Sequence, residues 1–258
     1  MSINGTRISV VHDELGPIYV YQNRTSRILS FDGIVEQSCM RIHEPNELIH
    51  KYTQAMMTGL IFTPNVHTVT IMGLGAGSMA KSLLHGIEDI RIHAIEYRQE
   101  VINTAKKYFF LPDDNRLQLH ICDAVGYMRT SPQKSDIIFS DLYNSRGMEP
   151  RQLQMSYLKN CRKTLSNQGV LVLNLWHQDF QSEYEIEDLL SHEFNERVLS
   201  FPVEGGNTIV LAFKNSVPDI NRNELLKRAK KIQEQMNTPI EKYAKLLWSQ
   251  QLHKFGTL

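Results

Sequence analysis

From Val69 onward, short runs of apolar residues with little polar alternation are separated by stretches with helical spacing. The runs are "VTIMG", "IRIHAIE" ending at Glu96, "LQLHICD" ending at Asp123, "SDIIFSD" ending at Asp141, and "VLVLNLW". Between them, "SMAKSLLHGI", "RQEVINTAKKYFF", "AVGYMRT" and "RQLQMSYLKNCRKTLSNQG" read as helices. Val101, Ile102, Ala105, Tyr108 and Phe109 share one face of the second, and Gly169 is placed to stop the last. Apolar runs joined by helices predict an α/β fold with a parallel sheet covered on both faces. "EYEIEDLLSHEF" reads as a further helix. It is followed by "RVLSFPV", the turn "EGGN" and "TIVLAFK", strands joined closely enough to pair antiparallel.

The flanking segments follow other rhythms. "ISVVHDELGPIYVYQNRTSRILSFDGIVEQS" alternates short β-rich pieces with the turn residues Gly16-Pro17, Asn23 and Asp32-Gly33, which predicts a small antiparallel sheet. "EPNELIHKYTQAMMTGLIF" places Leu48, Ile49, Tyr52, Met56 and Leu60 near helical spacing, with Pro45 suited to a first turn. Downstream, "ELLKRAKKIQEQM" reads as a helix. "TPIE" then opens a last one, with Thr238 as N-cap, Pro239 at the first position and Glu241 closing a capping box. The pattern divides the chain into a β-rich cap with a linking helix (1–66), a central α/β unit (67–215) and C-terminal helices (216–258).

Composition narrows the class. The chain has 258 residues, 41% of them hydrophobic, enough for a sizeable core, and its 28 Lys and Arg balance 28 Asp and Glu. That balance points away from nucleic acid and membrane surfaces as partners. "MSINGTRISVV" has no signal-peptide core and no run approaches the ~20 apolar residues that span a bilayer. Cys39, Cys122 and Cys161, widely spaced, read as buried thiols of a reduced compartment, so a cytoplasmic protein is expected. The cluster Arg222, Lys227, Arg228, Lys230 and Lys231 reads as a solvated helix face. His43, His50, His67 and His85 fall in no metal-ligand pattern, and no metal is expected.

Chemistry concentrates in "GLGAGS". A strand, a tight glycine turn and a helix place Gly73, Gly75 and Gly77 at the carboxyl edge of the sheet, where open α/β folds bind ligands. Glu96 closes the next strand, 23 positions after Gly73. A carboxylate there accepts hydrogen bonds from both hydroxyls of a ribose, which suits NAD or S-adenosylmethionine. Asp123 is set to take the amino group of an adenine, and Asp141 lies where a reacting group belongs. Alternatively, Asp141 would cap the loop that follows it. Carboxylates at three consecutive strand ends, with the terminal antiparallel pair and a cap preceding the glycine loop, favour a nucleoside–methionine site over NAD.

These segments, with "RILSFDGIVEQS", "IEYRQEVINTAKKYFFLP", "CDAVGYM", "DIIFSDLYN" and "NCRKTLSNQGVLVLNL", resemble the spermidine synthase family of polyamine aminopropyltransferases over about residues 18–214. The resemblance implies a Rossmann-like, class I methyltransferase-type sheet with a small N-terminal antiparallel β domain, and a homodimer. It implies transfer of the aminopropyl group of decarboxylated S-adenosylmethionine to a small-molecule amine. It puts Gln37, Gly73, Gly75, Gly77, Glu96, Tyr97, Asp123 and Ala124 on the nucleoside. It makes Asp141 the catalytic proton acceptor and puts His50, Tyr52, Tyr143 and Asn144 around the acceptor.

The amine half departs from the family pattern. Ala76 stands where the glycine loop of the family carries an Asp, Asn144 replaces a second Asp, and His50-Lys51-Tyr52 replaces Tyr-His-Glu. Burying two ammonium groups with fewer carboxylates is unfavourable, so putrescine is expected to be a poor acceptor. Two further readings therefore stand beside aminopropyl transfer. One is a methyltransferase using S-adenosylmethionine itself, and the other is a non-catalytic nucleoside-binding homologue.

Overall fold

The computed structural model describes residues 3–131, 133–145, 147–176, 183–195 and 197–251, with side chains omitted for 183–187. The end of the expected C-terminal segment, 252–258, lies outside them. The first four strands form the expected antiparallel sheet in the order β1-β2-β3-β4: β1 (Thr6–Asp13), β2 (Gly16–Gln22), β3 (Ser26–Ser30) and β4 (Ser38–Arg41). One face of this cap buries Ile18, Val20, Leu29 and Met40 against Val101 and Phe109 of the main body. Polar clamps reinforce the seam. The Arg98 guanidinium forks onto Asp13 at 2.8 Å, and Arg27 donates to the Tyr108 carbonyl.

The single helix expected over the linking segment is two: α1 (Lys51–Met56) and α2 (Gly59–Phe62). Thr58 breaks the run, its hydroxyl turned back onto the Ala55 carbonyl, and Pro45 lies outside both helices. Gly59 lets α2 lie flat on the sheet, since a Cβ there would meet Val172 at 2.8 Å.

The remaining strands are β5 (Thr68–Met72), β6 (Arg91–Glu96), β7 (Leu117–Ile121), β8 (Ser135–Ser140), the short pair β9 (Tyr143–Asn144) and β10 (Gly147–Met148), β11 (Leu165–Trp176), β12 (Val198–Val203) and β13 (Asn207–Phe213). Seven of them form one sheet, β12-β13-β11-β8-β5-β6-β7. Strands β5, β6, β7, β8 and β11 run parallel, while β13 lies antiparallel between β11 and β12. Side-chain alternation divides the sheet between two cores. Ile71, Phe139 and Val172 face one side, and Met72, Ile138 and Leu173 the other.

Helices α3 (Ser78–Gly86), α8 (Arg222–Met236) and α9 (Ile240–Gln250) pack with α1 and α2 on the first core. Helices α5 (Ala124–Thr130), α6 (Met155–Thr164) and α7 (Glu183–Phe194) cover the second, and α4 (Gln99–Tyr108) lies beneath the cap. Helix α6 ends at Thr164 rather than at Gly169, because Leu165 is already buried and paired with Ser135 of β8. The expected capping box at α9 does not form. The Thr238 hydroxyl donates to the Met236 carbonyl, and the Glu241 N–H is taken by Gln233. Strand β7 stops at Ile121, and Asp123 is the N-cap of α5. On α8, Arg222, Lys227, Lys230 and Lys231 are exposed, and Arg228 is half-buried against Glu224 and the Ile61 carbonyl. Cys39 and Cys161 are buried thiols, while Cys122 is only half-buried. Among the described residues no helix is long and apolar enough to cross a membrane.

Candidate functional site

A cavity of about 1380 Å³ opens at the carboxyl ends of β5, β6, β8 and β11, roofed by the loop between β3 and β4. The glycine loop forms its floor. Gly73 has φ +91°, and a Cβ there would strike the Asp141 carbonyl, so the two strand ends approach as closely as backbone allows. Gly75 has φ +53°, and its missing Cβ leaves room for the Ser38 hydroxyl of the cap, which accepts the Ala76 N–H at 3.1 Å. Gly77 is the left-handed residue before α3 and does not line the cavity.

On one side of the cavity, Glu96 points back over the loop. Its carboxylate accepts the N–H groups of Leu74 and Arg98, at 3.3 and 3.0 Å. Burial raises its pKa, and the backbone donors of Arg98, Leu74, Gly75 and Tyr97 pull it back. Tyr97 and Gln37 line the same space, Tyr97 with 62% of its surface open. Asp123 also reaches the cavity, with both oxygens engaged: one accepts the Gly126 N–H at 2.8 Å, and the other pairs with Arg151 at 2.9 Å. Ala124, at the start of α5, packs into the second core off the cavity surface.

Asp141, just beyond β8, has neutral side-chain partners among the described residues. Its carboxylate accepts from the Asn174 amide at 2.8 Å and from the Tyr52 hydroxyl. Burial pushes its carboxyl up to about 6, with the two donors opposing the rise. Among the described residues no loop N–H reaches this carboxylate, against the loop-capping alternative: its side-chain partners come from α1 and β11. Tyr52 is pushed well above the usual phenol range by burial and by facing Asp141. His50 stacks on Tyr52 with ring centres 5.6 Å apart, and burial lowers its pKa. Tyr143 and Asn144 of β9 also line this half. Lys51 lies at the mouth, held by Glu204 of the β12–β13 turn.

Ala76 is placed differently from the expectation. It is fully buried with Ile18, Val20 and Met40 under the cap, not in the cavity. Its lack of a carboxylate therefore reflects cap packing and says nothing direct about an ammonium. Residues outside the sequence reading complete the site. Asn174 and Asn207 stand behind Asp141, Ser38 supports the loop, and Arg151 holds Asp123. Asn174 carried a signal, a lone amide in the apolar run "VLVLNLW". Among the described residues, no three His, Cys, Asp or Glu gather as metal ligands.

A sequence model of the spermine/spermidine synthase domain matches residues 49–198. A polyamine aminopropyltransferase of Neisseria meningitidis is 33% identical over 209 residues, covering 80% of this chain and 79% of that protein. An eEF1A lysine and N-terminal methyltransferase of Xenopus laevis is 24% identical over 80% of this chain and 32% of that protein. Among solved structures, a spermidine synthase in complex with the transition-state analogue AdoDATO superposes with a TM-score of 0.74 at 17% identity, covering 98% of this chain and 85% of the other. Human methyltransferase-like protein 13 in complex with SAH gives a TM-score of 0.65 at 21% identity over 74% of this chain and 94% of that one. Both structures share the α/β sheet found here, and the span and identity of the sequence matches go further: the chain belongs to the spermine/spermidine synthase family.

Proposed function

We propose that this protein binds decarboxylated S-adenosylmethionine and transfers its aminopropyl group to an amine acceptor. One observation carries the reading: Asp141, a carboxylate whose only described side-chain partners are neutral donors, stands across the glycine loop from Glu96. The nucleoside lies over that loop, with its ribose on Glu96 and its base toward Asp123. The sulfonium then faces Asp141. The acceptor ammonium gives its proton to Asp141, and the freed nitrogen lone pair attacks the propyl carbon. As the new carbon–nitrogen bond forms, the carbon–sulfur bond breaks and its electron pair goes to sulfur. Methylthioadenosine leaves as a neutral thioether. Alignment within the cavity supplies much of the rate, and proton removal the rest.

A second reading rests on the glycine loop as a whole. Residues 73–77 include no carboxylate to oppose that of full S-adenosylmethionine. The same site then supports methyl transfer, with attack on the methyl carbon instead. Calorimetry with S-adenosylmethionine, its decarboxylated form and methylthioadenosine separates the readings. Tighter binding of the decarboxylated donor is expected; tighter binding of the full donor favours methyl transfer, and absence of binding refutes both. The family resemblance also supports a cytoplasmic homodimer, so light scattering should give twice the 29.8 kDa chain mass.

A further inference from the structure

Behind Asp141 runs a chain of amides that neither strand needs for its own pairing. Asn174 lies near the end of β11 and is 1% exposed; its Nδ2 donates to Asp141 Oδ1 at 2.8 Å. Its own Oδ1 accepts from Nδ2 of Asn207 at 2.9 Å. Asn207, 8% exposed, opens β13 just after the Gly205-Gly206 turn, and its backbone pairs with Trp176. An amide side chain has two orientations of similar shape, one presenting N–H groups and one presenting oxygen. Nothing in Asn174 itself selects between them. The Asn207 donor does, because it satisfies the Asn174 oxygen and leaves the N–H side for Asp141. We propose that Asn207 is a positioning residue that acts through Asn174 to keep an N–H donor on the Asp141 carboxylate and fix its orientation in the cavity.

The other groups facing Asp141 do not duplicate this role. Among the described residues, Tyr52 on α1 donates one hydroxyl, His50 stacks behind Tyr52 with its pKa lowered by burial, and Tyr143 comes from β9. No cation among the described residues contributes to the Asp141 environment, and its hydrogen-bond donors are what oppose burial. The catalytic consequence rests on the proposed function; the positioning does not.

The test follows the Asp141 carboxyl by carbon-13 NMR in protein labelled at aspartate, with Asp141→Asn as the assignment control. Asn207→Ala removes the donor without adding charge and carries the test. Asn207→Asp keeps shape but offers acceptors, which turns the Asn174 oxygen toward Asp141, and its added carboxylate raises the midpoint further by repulsion. The Asp141 midpoint should rise by ~0.5–1 unit in Asn207→Ala and further in Asn207→Asp. With an acceptor in hand, the acid limb of the rate profile should move by the same amount. Turnover one unit below the wild-type midpoint should fall ~3–10-fold. A merely structural Asn207 would lower the melting temperature without moving the midpoint. An unchanged midpoint in folded variants overturns the proposal. A moved midpoint in an enzyme whose turnover survives Asp141→Asn upholds the positioning and refutes the proposed function instead.

Discussion

Asp141→Asn should make this protein more stable at neutral and alkaline pH while it abolishes turnover. The folded state holds the Asp141 carboxyl at about 6, against an ordinary value of 3.8, because burial outweighs its two donors. A raised pKa means that the fold disfavours the ionised form. Below pH 3.8 the carboxyl is protonated in both folded and unfolded chains, and it costs nothing. Between 3.8 and about 6 the unfolded chain ionises while the native one does not, so stability falls as pH rises. Above 6 the penalty is constant. At ~1.36 kcal/mol per unit it reaches about 3 kcal/mol. Asparagine has nearly the same shape and no charge, so the variant avoids the penalty. Urea unfolding of both proteins from pH 4 to pH 8 should show curves that nearly coincide at the acid end and separate by about 3 kcal/mol at the alkaline end. In a chain of this size that corresponds to a melting shift of ~6–12 °C. Turnover should fall by ~10²-fold or more. A variant no more stable than wild type at pH 8, or one whose gain is the same at every pH, would refute the reasoning. The carboxylate would then be tolerated without cost, and burial would not disfavour its charge as inferred.

Other consequences follow from neighbouring groups. Glu96→Ala should weaken methylthioadenosine binding by ~2–4 kcal/mol in calorimetry through loss of charged hydrogen bonds to the ribose; unchanged affinity in a folded variant removes Glu96 from the site. Arg151→Ala frees one oxygen of Asp123 from a half-exposed ion pair, so nucleoside affinity should rise by the ~0.2–1 kcal/mol such a pair is worth, and a loss of affinity would show that Arg151 holds the ligand itself. Turnover of putrescine with the decarboxylated donor should stay far below the enzyme median of ~10 per second, because Asn144 is neutral and Glu204 is occupied by Lys51; a rate near that median would contradict it. Lys81 is 2% exposed, donates to the Phe109 carbonyl and has its pKa lowered to about 8 by burial. Its charge therefore opposes folding below pH 8, and wild-type stability should rise between pH 8 and 10.5 relative to Lys81→Met in paired denaturant titrations.

The sheet was legible because its signal is local. The parallel strands β5 and β8 bury both faces, so "VTIMG" and "DIIFSD" read as continuous apolar runs, and the glycine loop after the first run places the ligand edge. The helix ends were less legible because packing sets them. Thr164 and Leu165 end α6 where the chain must enter the sheet, four residues before the glycine that looked like its stop. The site divided in the same way. Glu96 and Asp141 follow directly from strand ends, whereas the facing of Ala76 depends on a cap that is distant in sequence. A loop residue between two left-handed glycines has its side chain aimed by whatever covers the loop, and here Ile18, Val20 and Met40 cover it. The amide chain shows the converse. Asn174 and Asn207 are 33 residues apart and fall in different strands, and neither belongs to a motif. Only the antiparallel insertion of β13 beside β11 brings them together, and that insertion sets which face of an amide the Asp141 carboxylate meets. The chemistry proposed at the end of β8 thus depends on the last hairpin of the sheet.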